Sequence, residues 1–300
     1  MCKGEKMKTK KQVIKLLILI IIIGGITTGC FKRDEMEDIN IITTVYPLEY
    51  VLNKLYGENS VVNSIYPDGV DIDEYKISSK EYKDFSKQNL FVYNGLSNDK
   101  DIALNLINKN KDIMIMDANF GMEIQYGIEE LWLNPSNLLM ISQNIKNGLT
   151  ELIDSKYIKE EIEESYDELK VELSELDADI KLLSENARNK TLVVGSSTLQ
   201  YLSKYGFDVI LVNDETENEK NITKATNLIN DGDINYIFML EGEEETEAVK
   251  TIKADTSVEI ITIDKLDNIS DEERDNKKTY LTLMKDNIEL LRKETEWFYE

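Results

Sequence analysis

The sequence predicts an α/β protein of two doubly wound lobes, each built on a parallel sheet, joined by one long rigid helix with a ligand cleft between the lobes. Three observations predict it. From Ile39 onward, short β-branched runs alternate with stretches of helical spacing, the pattern of βα units around a parallel sheet. The alternation stops and begins again at Leu192. Across the interval, Ile158, Ile162, Tyr166, Leu169, Leu173, Leu176, Ile180 and Leu183 recur in steps of four and three, which draws one apolar stripe along a single helix.

The elements follow in chain order. Residues 1–29 carry six lysines ahead of an uninterrupted apolar run from Leu16 to Ile23, then the small residues Thr27, Thr28 and Gly29 before Cys30. That order is a signal peptide, and the run is too short for the roughly 20 apolar residues that cross a bilayer. The flanking pattern makes Cys30 the site of lipidation after cleavage. Residues 30–38 contain FKRDEME, charged and without an apolar period, a spacer between lipid and fold. The first lobe, 39–150, has strands expected at Ile39–Thr44, Ser60–Ile65, Leu90–Tyr93 and Ile113–Met116, with helices at Leu48–Tyr56, Ser79–Lys87 and Lys100–Asn108. The connecting helix occupies 151–190. The second lobe, 191–300, has strands at Leu192–Val194, Val209–Val212, Tyr236–Leu240 and Glu259–Ile263, and helices at Leu199–Lys204, Ile222–Asn230, Glu244–Ala254 and Tyr280–Trp297.

Composition excludes several function classes. The chain has no histidine, so a nucleophile activated by imidazole is ruled out, and Cys2 falls in the leader, which leaves the mature chain without a disulfide or a thiolate metal site. Loss of residues 1–29 removes six lysines and Glu5 and moves the formal charge from −23 to −28. A surface of that sign does not bind nucleic acid through phosphate contacts. The acidic runs EEIEES and EGEEETE have interleaved apolar residues and read as solvated helix faces, and Trp132 and Trp297 read as packing residues.

In order, TTVYPLEYVLNKLYG, YPDGVDIDEY, NLFVYNGLS, ELWLNPSN and TYLTLMKDNIELL resemble the metal-binding lipoproteins of ABC importers for zinc and manganese, over nearly the whole mature chain. The resemblance implies a protein that is not an enzyme. It implies a lipid-anchored, monomeric solute-binding protein on the extracytoplasmic face of the cell membrane, passing one divalent cation to a permease driven by a separate ATPase. It also implies four ligand positions, which fall at Asp73, Glu130, Ser196 and Asp264, with Asp73 and Glu130 standing where the family has histidine. Glu241, at the end of FMLE, is a further candidate carboxylate, and Tyr46 is placed at the mouth of the cleft. An oxygen-only set suits manganese or another hard cation over zinc, which is usually held with some nitrogen or sulfur. The alternative is a degenerate member that keeps the scaffold, no longer binds metal, and acts as a cell-surface interaction protein.

Overall fold

The computed structural model describes residues 34–215 and 219–296, so the leader, Cys30 and Trp297 lie outside the described residues. Two parallel sheets organise the fold. The first, in the order β2-β1-β3-β4, is made of β1 (Ile39–Thr43), β2 (Ser60–Ser64), β3 (Leu90–Tyr93) and β4 (Met114–Asp117). The second repeats the plan as β6-β5-β7-β8, from β5 (Thr191–Val194), β6 (Asp208–Leu211), β7 (Tyr236–Leu240) and β8 (Glu259–Ile263). In both, consecutive strands are parallel and therefore need a crossover, which helices supply. The strand order reverses direction at β1/β3 in the first lobe and at β5/β7 in the second, and crevices at the carboxyl ends of such strands are where open α/β sheets bind ligands.

Both faces of each sheet are covered, so alternate residues of one strand enter different cores. Ile42 and Phe91 point to an outer core closed by α2 (Ser79–Phe85) and α3 (Asp99–Lys109), with Ile102 and Leu106 opposite. Ile41, Leu90 and Val92 point the other way, into a core shared by the whole molecule. In the second lobe Val193, Ile237 and Met239 face an outer core under α7 (Glu219–Asn230) and α8 (Glu247–Asp255), while Leu192, Val194, Phe238 and Leu240 join the shared core.

The shared core is built on α6 (Lys156–Asn186), 31 residues long. Its N-terminus is fixed by Ser155, whose side chain accepts from Ile158 N. All eight residues of the predicted stripe are buried on it. From the first lobe α1 (Tyr46–Tyr56) packs on this helix, and from the second α10 (Tyr280–Thr295) does the same. One continuous apolar cluster thus runs from Met36 through α6 to Leu291, and the lobes are held by a common core instead of a hinge of bare chain.

Four elements differ from the sequence reading, two of them the short helices Glu130–Leu133 and Asp271–Asp275, which were not expected. The helix α5 (Pro135–Leu152) was not predicted, although its signals are present: Asn134 caps it by accepting from Ser136 N, Pro135 sits in the first turn, and Leu138, Ile141, Ile145 and Leu149 form a buried stripe. It packs along α6, and Met116 of β4 lies against its Gly148. The segment Thr198–Tyr205 is a 3-10 helix. Its buried Leu199, Leu202 and Tyr205 recur every three residues, which a three-residue turn aligns on one face. Among the described residues, no helix is long and apolar enough to cross a membrane.

Candidate functional site

A cavity of about 310 Å³ lies between the loop that follows β2 and the carboxyl ends of β7 and β8. Asp71 lines it from the first lobe, and Glu241, Asp264, Lys265 and Asp267 from the second. The second-lobe wall is a tight turn immediately after β8. Leu266, fully buried, is held at φ 58°, a left-handed conformation that costs a branched side chain about 1–3 kcal/mol. That turn lets Asp264 accept from Leu266 N at 2.8 Å and brings Asp267 round to Lys265. Asn287 of α10 braces it from behind, donating to Asp264 O while its own side-chain oxygen accepts from Asp264 N.

The lobes meet directly around this cavity. Tyr46 N donates to Asp267 O at 2.9 Å, Gly69 N donates to Ile269 O at 2.9 Å, and Asn268 Nδ2 donates to the carbonyls of Pro67 and Val70. Trp132 Nε1 donates to Lys265 O at 2.7 Å, which makes this buried tryptophan a packing and positioning residue. On α9 (Asp271–Asp275), Arg274 reaches across to Glu49 and Asp68 of the first lobe.

Charge in the cleft is answered only in part from within, by Lys265. Burial raises the Asp264 carboxyl to about 7; the Leu266 N–H opposes this, and the carboxylates of Glu241, Glu273 and Asp267 reinforce it. Asp267 is raised by burial and pulled back by Lys265. For Lys265, burial works against the charged form, but the bond it donates to Asp267 and the carboxylates of Asp267, Asp73 and Asp71 outweigh it and the net shift is upward.

The five residues expected at the site have different fates. Asp264 and Glu241 line the same cavity. Asp73 is 83% exposed at the rim, its Oδ2 3.8 Å from Lys265 Nζ. Ser196 is buried and donates to Glu243 Oε1 at 2.9 Å, and burial raises the Glu243 carboxyl. Glu130 departs from expectation: its two oxygens accept from Gln125 N at 2.7 Å and Tyr126 N at 2.9 Å, and it faces a separate cavity with Asn134 and Lys204. Its neighbour Glu129 is the acid turned to the second lobe, accepting from Thr198 Oγ1 at 3.0 Å and bearing on Glu243 and Asp267. The physical reason is that Glu130 opens the short helix α4 (Glu130–Leu133) and is consumed in tying down the turn before it. Among the described residues no three acidic or cysteine side chains converge closely enough to hold a metal ion. Glu129, Glu243, Lys265 and Asp267 were not singled out from sequence, although the DKLD run around Lys265, at a strand's carboxyl end, carried the signal for two of them.

Residues 41–294 match the family profile described as zinc-uptake complex component A, periplasmic. The chain is 21% identical to the zinc-binding protein AdcA of Streptococcus pyogenes serotype M3, over 96% of this chain and 62% of that protein, so it spans somewhat under two thirds of that relative. It is 24% identical to the manganese-binding lipoprotein MntA of Halalkalibacterium halodurans, over 90% of this chain and 95% of that one. The crystal structure of the Zn(II)-bound ZnuA-like domain of Streptococcus pneumoniae AdcA superposes with a TM-score of 0.69 at 21% identity, covering 87% of this chain and all of that one. The metal-dependent lipoprotein YcdH of Bacillus subtilis gives the same TM-score at 18% identity, covering 85% of this chain and 98% of that one. At these identities the structural likeness establishes the two-lobed fold.

Proposed function

Because this chain belongs to the family of periplasmic zinc-uptake complex component A proteins, we propose that it captures a divalent metal ion between its lobes and delivers it to an ABC permease and its ATPase. The observation that carries the reading is a cavity at the carboxyl ends of the strands, lined by Asp71 of one lobe and by Glu241, Asp264 and Asp267 of the other, with Asp73 3.8 Å from Lys265 at its rim. Carboxylates gathered in a partly buried space repel one another, and a hard dication relieves the repulsion while bridging the lobes. Asp264 and Glu241 serve as second-lobe ligands and Asp73 with Asp71 as first-lobe ligands. Glu129 takes the part that the resemblance gave to Glu130, and Ser196 orients Glu243. Manganese or another oxygen-seeking ion is the preferred cargo, since no imidazole or thiolate is available. The protein works as a monomer on the extracytoplasmic face of the membrane, tethered through a lipid on Cys30.

A second reading, a scaffold that no longer takes metal and serves as a cell-surface interaction protein, is favoured by one observation: Lys265 already supplies positive charge to the cleft. Thermal unfolding of the purified protein with manganese, iron(II), zinc, calcium and magnesium separates the two. At one hundred times its dissociation constant a bound ion adds about 2.7 kcal/mol, roughly 5–10 °C in melting temperature for a chain of this size. Asp264→Asn abolishes that shift if the cleft is the site. No shift with any ion, and no metal carried through purification, overturns the metal reading in favour of the second.

A further inference from the structure

Lys265 occupies an unusual place for a surface cation. Its side chain is 17% exposed, and its ammonium sits 2.7 Å from Asp267 Oδ2, itself 10% exposed, and 3.8 Å from Asp73 Oδ2 across the lobe boundary. It lines the same cavity as Asp264 and Glu241. A positive charge that touches a second-lobe carboxylate and reaches toward a first-lobe one does the electrostatic work of an interlobe metal ion. The main chain beneath it is immobilised: Lys265 O accepts from Trp132 Nε1, Leu266 N is bonded to Asp264, and Asp267 O accepts from Tyr46 N. The side chain has more freedom than its backbone, because the lobe it reaches toward offers Asp73 at an open rim. A long flexible stem with a strongly hydrated head can leave such a place for solvent.

We infer that Lys265 is a built-in cation that holds the interlobe carboxylates together in the empty protein and that a divalent ion binds by displacing it. This inference rests on the metal-capture reading. It follows that the lobes are closed by direct contacts without cargo, that affinity is set by exchange of one ammonium for one dication, and that a singly charged ion gains nothing over the lysine it replaces. It also follows that Lys265, and no other lysine, becomes accessible when the cleft fills.

Two measurements test this. The first compares Mn²⁺ affinity of the wild type, Lys265→Gln and Lys265→Arg by calorimetry, with Lys224→Gln, whose exposed lysine pairs with Asp208 away from the cleft, as a charge-matched control. A displaced ammonium that stays about 10 Å from a bound dication, at an effective dielectric somewhat above 20, weakens binding by roughly a hundredfold. Lys265→Gln is expected to tighten Mn²⁺ by that factor, while Lys265→Arg and Lys224→Gln stay near the wild type. If the wild type binds and Lys265→Gln binds equally, the inference falls while metal capture stands. If Lys265→Gln alone binds, the lysine blocks the cleft without being displaced, and both the inference and metal capture by the native protein fall. If neither binds, both fall. The second measurement uses the unaltered protein, so it does not depend on the variant folding: amine acetylation read residue by residue by mass spectrometry, with and without saturating Mn²⁺. Increased labelling at Lys265 supports displacement. Unchanged or reduced labelling overturns it.

Discussion

The contact between Arg274 and the first lobe offers the sharpest test of how the lobes are held closed. The guanidinium donates from Nη1 and Nη2 to the two oxygens of Glu49 at 2.9 and 3.4 Å, and from Nε and Nη2 to Asp68 at 2.5 and 2.8 Å. Arg274→Met keeps the unbranched stem of the side chain and removes all four bonds. Glu49 is only 8% exposed, so the variant strands a carboxylate in a poorly solvated place, and breaking a fully buried pair in this way costs about 3–5 kcal/mol. Arg274 is 43% exposed, so water screens the pair and the expected loss falls to about 2 kcal/mol. Asp68, 22% exposed at the rim, adds about 0.5 kcal/mol or less. Urea unfolding at pH 7 measures the sum. The double variant Glu49→Gln/Arg274→Met recovers most of the loss, because neither charge is then left alone. A loss below about 0.5 kcal/mol in the single variant, or a double variant no more stable than the single, refutes the reasoning.

Three further outcomes are expected. Glu294 is buried and accepts from Asn235 N, Tyr236 N and Asn189 Nδ2, yet burial outweighs these donors and raises it from 4.5 to about 7. The folded state therefore holds its proton more tightly than the unfolded one, and stability falls by about 3 kcal/mol as pH rises from 4.5 to 7. Glu294→Gln flattens that limb in urea titrations at stepped pH, and an unchanged slope contradicts the assignment. Leu173, at the middle of the α6 stripe and 1% exposed, touches the core common to both lobes. Leu173→Ala costs about 3 kcal/mol by calorimetry, and a loss under about 1 kcal/mol shows that the common core is looser than drawn. At Gly127 an added Cβ would stand 1.9 Å from Thr198 Oγ1, the hydroxyl that bonds Glu129 across the lobe boundary. Gly127→Ala is expected to lower stability by about 1–3 kcal/mol, relieved by Thr198→Ala in the same chain; equal losses with and without that relief point elsewhere.

Most of the fold was legible in the linear pattern because its causes are local. Leu90–Tyr93, Tyr236–Leu240 and Glu259–Ile263 are strands of the predicted extent, since short β-branched or apolar runs bounded by turn residues are a local signal. The α6 stripe was legible residue by residue, because a helix that passes two lobes must present the same face throughout. The helix α5 was not predicted although its cap and stripe are local too: the first lobe was expected to run to residue 150 with no helix after its last strand.

The site divides differently. Residue order alone determined that there is no imidazole, that carboxylates stand at the strand ends, and that Asp264 and Glu241 follow β8 and β7. Only the tertiary structure gives Glu129 and Glu130, one step apart in the chain, different partners: Glu130 accepts from the N–H groups of Gln125 and Tyr126, and Glu129 from the hydroxyl of Thr198. It also decided that Lys265 lies among the acids and not out in water, since the left-handed turn at Leu266 folds Asp267 back on it. A carboxylate at a strand end is a property of sequence. Whether its charge is answered by a backbone amide, a lysine or an ion depends on what the other lobe brings within a few ångströms, and no periodicity records that.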